Sequence, residues 1–456
     1  MEQISFGTDG WRATLDTFTE ERVRIVAQAA GSYFREQDAE RVGVGYDARE
    51  TSPEFAAAVT EVLSGNGLDV VQSERDVPTP VLAWSVSDRD LDGGIVITAS
   101  HNPPEYNGIK FLSPDGSPAD ESVTERLEEL LAEPDLLPDD ERGAVSEEPL
   151  VPEFHAHAES YADTDLDGLS ICYDAMHGSG RDVTDALLES AGADVERLRC
   201  DLDPTFGGGS PEPSAEKLER LASRVTSGAA DLGIANDGDA DRIAVVTPER
   251  GYLDPNLLYA ALYEYLLESA SGPAVRTVST TFLIDKIAAA NGEDTVEVPV
   301  GFKWVAEGMR ESGALCGGEE SGGFGLTDHL LNKDGVLLAL VIAGAHVERP
   351  LDERVDDIVA EYGSIHQDRI SIDCPDDRKA DVLAELDGSL PDSILDIDVE
   401  RVDETDGFKI FLETGAWLLV RPSGTEPKLR VYAEADSDKQ VADLLDAGRE
   451  IIEPLV

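Results

Sequence analysis

Three times along this chain, a strand-and-helix pattern ends in a short polar loop rich in glycine or proline. These loops are Thr98–Pro104, Asp237–Arg242 and Gly317–Gly323. The first follows the apolar run Gly94-Ile-Val-Ile97 and the second follows Leu232-Gly-Ile-Ala235, both of which read as buried strands. Upstream of the first loop, Arg41-Val-Gly-Val-Gly-Tyr-Asp47 reads as a strand. Ser52-Pro53 reads as an N-cap with proline at the first helical position, and the helix runs through Ala56, Val59 and Leu63 towards Gly65 and Gly67. Asp69–Ser73 is the next strand. Alternation of this kind specifies βαβ units and a largely parallel sheet. It restarts at Leu169–Asp174 and again at Ala274–Ser279. One α/β unit used three times is a repeat of domain size, with a period too long for a solenoid. In open α/β sheets, ligands bind beyond the C-terminal ends of the strands, which is where these loops fall.

At 456 residues the chain exceeds what one hydrophobic core can organise, so several domains are expected. The acidic, proline-bearing stretch Glu133–Glu141 reads as a linker or surface excursion near the first boundary. From about Ile365 the pattern changes to short alternating strands (Arg369–Cys374, Phe408–Leu412, Trp417–Arg421, Leu429–Ala435) with helices at Arg378–Leu386 and Lys439–Ile452. Glu413–Ala416 forms a hairpin turn between two of these strands. This predicts a small α+β domain with an antiparallel sheet. The expected divisions are 1–148, 149–252, 253–364 and 365–456.

The formal charge is −59, from 95 acidic against 36 basic residues. Self-repulsion on that scale calls for screening, and the Debye length falls to roughly 3 Å at 1 M salt. An acidic surface suited to a salt-rich cytoplasm follows. The charge also excludes nucleic-acid binding, which needs a basic footprint. No apolar run has the length of a membrane span, and no signal peptide is visible. The four cysteines are scattered without metal-ligand or redox spacing, as expected of reduced thiols. The chain has only nine lysines, and Lys110, Lys303, Lys333 and Lys428 fall inside or beside the motifs.

Chemistry is concentrated in those motifs. Ser100, held on a rigid Asn-Pro-Pro loop with His101 beside it and Lys110 ten residues on, is a candidate nucleophile. Asp237, Asp239 and Asp241 alternate with small residues, which lets three carboxylates aim at one point. Three hard oxygen ligands suit Mg²⁺. An acidic surface turn and an aspartyl nucleophile are the alternatives, and an EF-hand lacks its glutamate at the twelfth position. Arg242 directly after the acids fits a phosphate-bearing ligand. Glu319 and Ser321 sit among four glycines that allow close backbone approach to a ligand. Arg421-Pro-Ser-Gly-Thr-Glu-Pro427 combines a guanidinium, two hydroxyls and a turn able to nest an anion. In Phe6-Gly-Thr-Asp-Gly-Trp-Arg12, Arg12 is placed to face a phosphate and Trp11 to pack. His177, in Asp174-Ala-Met-His-Gly-Ser-Gly180, reads as structural, and Arg49 as a surface or domain-interface residue.

Taken together and in this order, the motifs resemble those of the phosphohexomutase superfamily: phosphoglucomutases, phosphomannomutases and phosphoglucosamine mutases. The resemblance spans nearly the whole chain. It implies a heart-shaped, four-domain architecture, with three related mixed-sheet α/β domains and a C-terminal α+β domain like the TATA-box-binding protein. It implies that Ser100 carries the phosphoryl group and that Mg²⁺ is held by the Ser100 phosphate with Asp237, Asp239 and Asp241. Lys110 becomes the general acid/base, with His101 and Arg12 assisting. For the phosphosugar substrate it implies contacts from Thr8, Asp9, Asn102, Arg242, Gly301, Lys303, Glu319, Ser321, His329 and Lys333. Arg421, Ser423, Gly424 and Thr425 would clamp the phosphate that is not transferred. Leu331-Asn332-Lys333 stands where near relatives often carry Pro, Glu and Arg. The implied reaction interconverts hexose 1- and 6-phosphates through a hexose 1,6-bisphosphate, in a cytoplasmic monomer or homodimer without membrane or nucleic-acid partners. The alternatives are a phosphoglucosamine mutase, a Mg²⁺-dependent sugar phosphatase in which water intercepts the phosphoserine, and a non-catalytic phosphosugar binder.

Overall fold

A computed structural model of the chain describes Ile4, Phe6, Gly7, residues 10–424 and residues 427–456. Three mixed sheets and one antiparallel sheet follow one another along the sequence. In the first, Arg41–Tyr46 pairs in parallel with both Asp69–Ser73 and Gly94–Ile97. Tyr106–Leu112 returns antiparallel beside Gly94–Ile97, and Trp11–Thr14 closes that edge. In the second, Ser170–Asp174 lies parallel between Asp194–Leu198 and Leu232–Asn236, and Ile243–Thr247 returns antiparallel. In the third, Ala274–Thr277 lies parallel between Thr295–Val298 and Cys316–Gly318, and Phe324–Leu326 returns antiparallel.

The repeat is therefore sharper than strand-then-loop. Each functional loop joins a parallel strand to its own antiparallel return, closing at Ile97↔Ile109, Asn236↔Ile243 and Gly318↔Phe324. The loop backbone is thereby anchored on both sides by a ladder.

Two local expectations change. The helix Ser52–Gly65 is capped by Thr51 without a side-chain bond; Ser52 Oγ turns inward and donates to Asp47 at 2.6 Å. The acidic stretch after Glu133 hugs the first unit: Leu137 N donates to Gly65 O at 2.8 Å, and Val145–Glu148 adds a parallel edge strand to Asp69–Ser73.

The helix Gly335–Glu348 is apolar on nearly every side and buried from Gly335 to Ala345, so it must sit inside the molecule. It packs on the helix Val151–Ala162, which packs in turn on Thr79–Asp88. One continuous apolar cluster results, running from Val81 and Trp84 through Phe154 to Leu337 and Leu340. The fourth sheet, in the order 366–373, 428–435, 417–422, 408–412, 397–403 and 393–394, is antiparallel throughout and packs the helices Asp376–Asp387 and Asp438–Ile452 over a separate core. Among the described residues, no helix is long and apolar enough to cross a membrane.

Candidate active site

The Thr98–Pro104 loop leaves its strand in a conformation that side chains seldom adopt. Ser100 has φ of +51°, a left-handed backbone that costs a non-glycine residue about 1–2 kcal/mol unless neighbours enforce it. Its hydroxyl is buried and donates to Asp237 Oδ2 at 2.7 Å. The His101 ring follows, with Nδ1 3.4 Å from Ser100 Oγ. Burial holds this imidazole well below its ordinary 6.5, with the Arg242 and Arg12 guanidiniums adding to the effect, so the ring is neutral at neutral pH. Asn102 accepts from Arg12 Nη1 at 3.3 Å.

The Asn236–Arg242 loop brings the three acids together. Asp237, Asp239 and Asp241 each present a carboxylate oxygen within 4.8 Å of the others, and all are buried. Lys110 Nζ donates to Asp239 Oδ2 at 2.8 Å and to Asp241 Oδ2 at 2.7 Å, and Lys333 Nζ lies 3.3 Å from the latter oxygen. Arg242 Nε stands 4.0 Å from both Asp237 and Asp241. The acids feel unequal pulls. Burial, then repulsion from Asp239 and Asp241, pushes Asp237 well above the usual carboxylate range. Burial disfavours charge on Asp241 as well, but Lys110, Lys333 and Arg242 outweigh it and hold that carboxyl below the range. Among the described residues, Asp239 Oδ1 and Asp241 Oδ1 are buried with no hydrogen-bond partner. Hard oxygens left over beside a charge-destabilised Asp237 are the donor set a divalent cation satisfies.

The metal-type loop is gripped from every neighbouring unit. Asn236 is fully satisfied: its amide oxygen accepts from Tyr173 and Thr184, and its amide nitrogen donates to the carbonyls of Arg242 and Gly335. Thr79, at the start of a helix in the first unit, donates Oγ1 to Asp239 Oδ2 at 2.7 Å and its backbone N–H to Asp239 O at 2.9 Å. Gly238 touches the serine loop so closely that a Cβ there would lie 2.5 Å from Ser100 O and 2.8 Å from Pro211 Cγ.

The third loop is tied to the second, since Ile243 N donates to Gly322 O at 3.0 Å. Glu319 accepts from Gly301 N at 3.1 Å, joining the glycine-rich loop to the Gly301–Trp304 turn. Lys303 Nζ lies 5.0 Å from the centre of the Trp304 ring and 3.8 Å from Glu121. Ser321 lies in the tight turn between Glu319 and Gly323, half-buried. Arg421 donates Nε to Asp406 Oδ2 at 2.9 Å, and the same oxygen accepts from Val300 N at 3.0 Å. The fourth-unit arginine is thus one bonded step from the turn that holds Glu319. Ser423 O accepts from Lys379 Nζ at 2.6 Å, and Gly424 follows in an exposed bend. Thr8, Asp9 and Thr425 lie outside the described residues.

One expectation changes with these contacts. The structure does not bring His329 to the Glu319 turn. Both its ring nitrogens are engaged elsewhere, Nδ1 with His157 at 2.9 Å and Nε2 with Asp334 at 2.8 Å, and the ring stacks on His157 between the second and third units. Lys333 joins the two loops: its stem lies against Gly323 of the glycine-rich loop and its Nζ, 5.7 Å from the Phe302 ring, reaches Asp241 at 3.3 Å. Of the two readings of Arg49, surface or domain interface, the structure gives the second: it is buried under Phe206 of the second unit. Thr79 and Asp406 escape the sequence patterns altogether. A helix-starting Thr-Pro pair is the only local signal for the first, and nothing local marks the second. His177 Nδ1 donates to Asp201 O at 3.0 Å, as a structural loop histidine does.

Family models match the chain in order. The phosphoglucomutase/phosphomannomutase alpha/beta/alpha domains I, II and III cover residues 3–137, 152–251 and 254–362, and the C-terminal domain of that family covers 370–451. A protein of Methanopyrus kandleri named as a probable phosphoglucosamine mutase is 35% identical, over 98% of this chain and 97% of its own length. A phosphoglucomutase/phosphomannomutase of Thermococcus kodakarensis is 31% identical, over 98% of each chain. A crystal structure from Thermus thermophilus, described as a phosphomannomutase, superposes with a TM-score of 0.87 at 30% identity and covers 99% of both chains.

Proposed function

The chain belongs to the phosphoglucomutase/phosphomannomutase family of the alpha-D-phosphohexomutase superfamily and is an isomerase-class phosphotransferase; on that premise we propose that it interconverts hexose 1-phosphate and hexose 6-phosphate, of glucose or mannose, by way of a phosphorylated Ser100 and a hexose 1,6-bisphosphate. The observation that carries this reading is the Ser100 hydroxyl at 2.7 Å from Asp237 within the same buried cluster as Asp239, Asp241 and Lys110.

Phosphoryl transfer is mainly positioning and charge neutralisation. Asp237, Asp239 and Asp241, with the Ser100 phosphate, would hold Mg²⁺, which when bound sets positive charge against the phosphoryl oxygens. Lys110 Nζ, Arg242 and Lys333 crowd the same side with fixed positive charge. The P–O bond at Ser100 breaks as a bond to the sugar's free hydroxyl oxygen forms. The proton that this hydroxyl gives up reaches Ser100 Oγ with Lys110 Nζ as relay. His101, neutral, and Arg12 lie beside the transfer. Glu319 and Ser321 read sugar hydroxyls, with Gly301 and Lys303 across from them. Arg421, Ser423, Gly424 and Thr425 hold the second phosphate. The bisphosphate then turns end for end and returns its other phosphoryl group to Ser100, so the clamp must accept either end of the sugar.

Glucosamine phosphate is the second reading, favoured by the name of the 35% identical relative. Kinetics on glucose, mannose and glucosamine 1-phosphates with added Mg²⁺ separate the sugars, and the product separates the reactions. A 6-phosphate is expected; free phosphate as the main product would make the chain a phosphatase. Ser100→Ala is expected to lose about 10⁴-fold or more in turnover, and full turnover in that variant would sink the mechanism. The charge of −59 supports adaptation to a salt-rich interior. Folding, followed by circular dichroism, is expected to weaken as salt is removed, and full folding at low ionic strength would overturn that adaptation alone.

A further inference from the structure

Ser100 holds a left-handed backbone, and one buried side chain spends its whole bonding capacity on keeping it there. Arg49 lies just beyond the strand next to that of the serine loop and is 2% exposed. All five of its N–H donors are used. Nε donates to Asp47 Oδ2 at 2.9 Å. Nη2 donates to Ser100 O at 2.8 Å and Asn102 O at 2.7 Å, and Nη1 donates to Pro103 O at 2.7 Å and Tyr106 O at 3.1 Å. Four of the five bonds end on backbone carbonyls of one loop. Those carbonyls converge on a point because the loop curls around it, and the guanidinium is the planar fork that fits there.

The grip on Ser100 closes on itself. Ser100 N donates to Thr98 Oγ1 at 2.8 Å, and Thr98 Oγ1 donates to Asp47 Oδ2 at 2.7 Å. Asp47 therefore holds the serine's N–H side through Thr98 and its carbonyl side through Arg49. Ser52 Oγ satisfies the other Asp47 oxygen at 2.6 Å. The Phe206 ring, 4.9 Å from the guanidinium carbon, covers the network from the second unit.

We infer that Arg49 is a positioning residue for phosphoryl transfer: through Asp47, Thr98 and four loop carbonyls it locks Ser100 in the left-handed conformation that aims its hydroxyl at Asp237. It touches no reacting atom. Its effect falls on kcat, because a misplaced nucleophile loses orientation while the sugar contacts on the third and fourth units stay intact. This rests on reading Ser100 as the phosphoryl carrier.

The test is steady-state kinetics on the full chain with Mg²⁺, with phosphoserine content read by intact mass and folding by thermal melting. Arg49→Lys keeps the charge and loses the fork. Its kcat is expected to fall about 100-fold, the scale of a displacement of about 1 Å, with KM held within about threefold. A second pair guards against an Arg49→Lys chain that does not fold. Thr98→Val removes the acceptor of Ser100 N and is expected to lower kcat about tenfold, while Thr98→Ser, which keeps the oxygen, recovers most of that loss. A folded Arg49→Lys with wild-type kcat, a change confined to KM, or a Thr98→Val as active as the parent overturns the inference. An active wild type with no phosphoserine, and a Ser100→Ala variant that matches it, would instead overturn the reading beneath.

Discussion

Between the first three units the apolar core is continuous, from Trp84 through Phe154 to Leu337, and polar contacts cross the same boundaries at Thr79–Asp239, Ser100–Asp237 and Lys333–Asp241. Between the third unit and the fourth the core is interrupted. A small cluster of Val278, Phe411, Trp417, Leu419 and Tyr432, with Phe282 and Val300 against it, stands apart from the cores on either side. At its centre Lys409 is almost fully buried, 4.3 Å from the Phe282 ring and 4.6 Å from the Trp417 ring, with Glu297 at 2.8 Å. Arg276 faces Phe282 from 4.5 Å. Burying two cations there costs desolvation, which Glu297, Asp285 and the ring face offset in part. The groups proposed to meet the transferred phosphoryl are thus built into one body, while the arginine proposed to hold the other phosphate rides on a unit joined to the third through a small separate apolar patch and hydrogen bonds. The proposed reaction, in which the sugar turns around, would use that inequality: a centre that does not yield, and a clamp that does.

The comparison breaks first at Gly238. Gly238→Ala sets a methyl 2.5 Å from Ser100 O, and the two loops must part. Turnover is expected to fall about 100-fold with the melting temperature nearly kept. A folded Gly238→Ala of normal turnover would show that the centre does yield. Arg421→Ala probes the other side. Loss of a charged hydrogen bond to phosphate is expected to raise KM about 10- to 100-fold, with the phosphoserine content of the protein unchanged by mass spectrometry. A loss of phosphoserine would mean that the two regions are not separable.

The last test lies at the joint itself and reads stability, not turnover. Burial, then the neighbouring Arg276, lowers Lys409 from 10.5 to about 8. Between those values the unfolded chain keeps a proton that the folded chain has shed, so stability rises with pH through that window and is flat on either side of it. The rise amounts to about 3 kcal/mol. Lys409→Met is expected to abolish it and to stabilise the joint at neutral pH, since Glu297 keeps Arg276 as a partner. Thermal melts of parent and variant from pH 7 to 11 check both points, and parallel curves would show that Lys409 carries no penalty.

Local pattern reached far into this molecule. The strands Arg41–Tyr46, Asp69–Ser73, Gly94–Ile97 and Leu232–Asn236 are short apolar runs bounded by turn residues, and two-sided burial shows in a sequence as such runs. The acids at 237, 239 and 241 were legible because chemistry fixed their spacing within one loop. The strand Ile397–Asp403 was not legible, because its alternation of Ile397 and Val399 with acids is short and is broken by a bulge between Val399 and Arg401 that puts Val402 out of phase. Arg49 read as a surface or domain-interface residue, with nothing local to mark the carbonyls it binds, and Asp406 as one of many carboxylates.

What the chain by itself determined is therefore the units, their order and the residue types each loop presents, because these depend on neighbours within a few positions. The tertiary structure alone decided which charges meet. It sent His329 to His157, Lys333 to Asp241, Thr79 to Asp239 and Arg49 to the carbonyls beneath Ser100. Those pairings join residues up to 172 positions apart. They arise because a buried donor or acceptor must find its complement in whatever surface the packed helices and sheets bring against it.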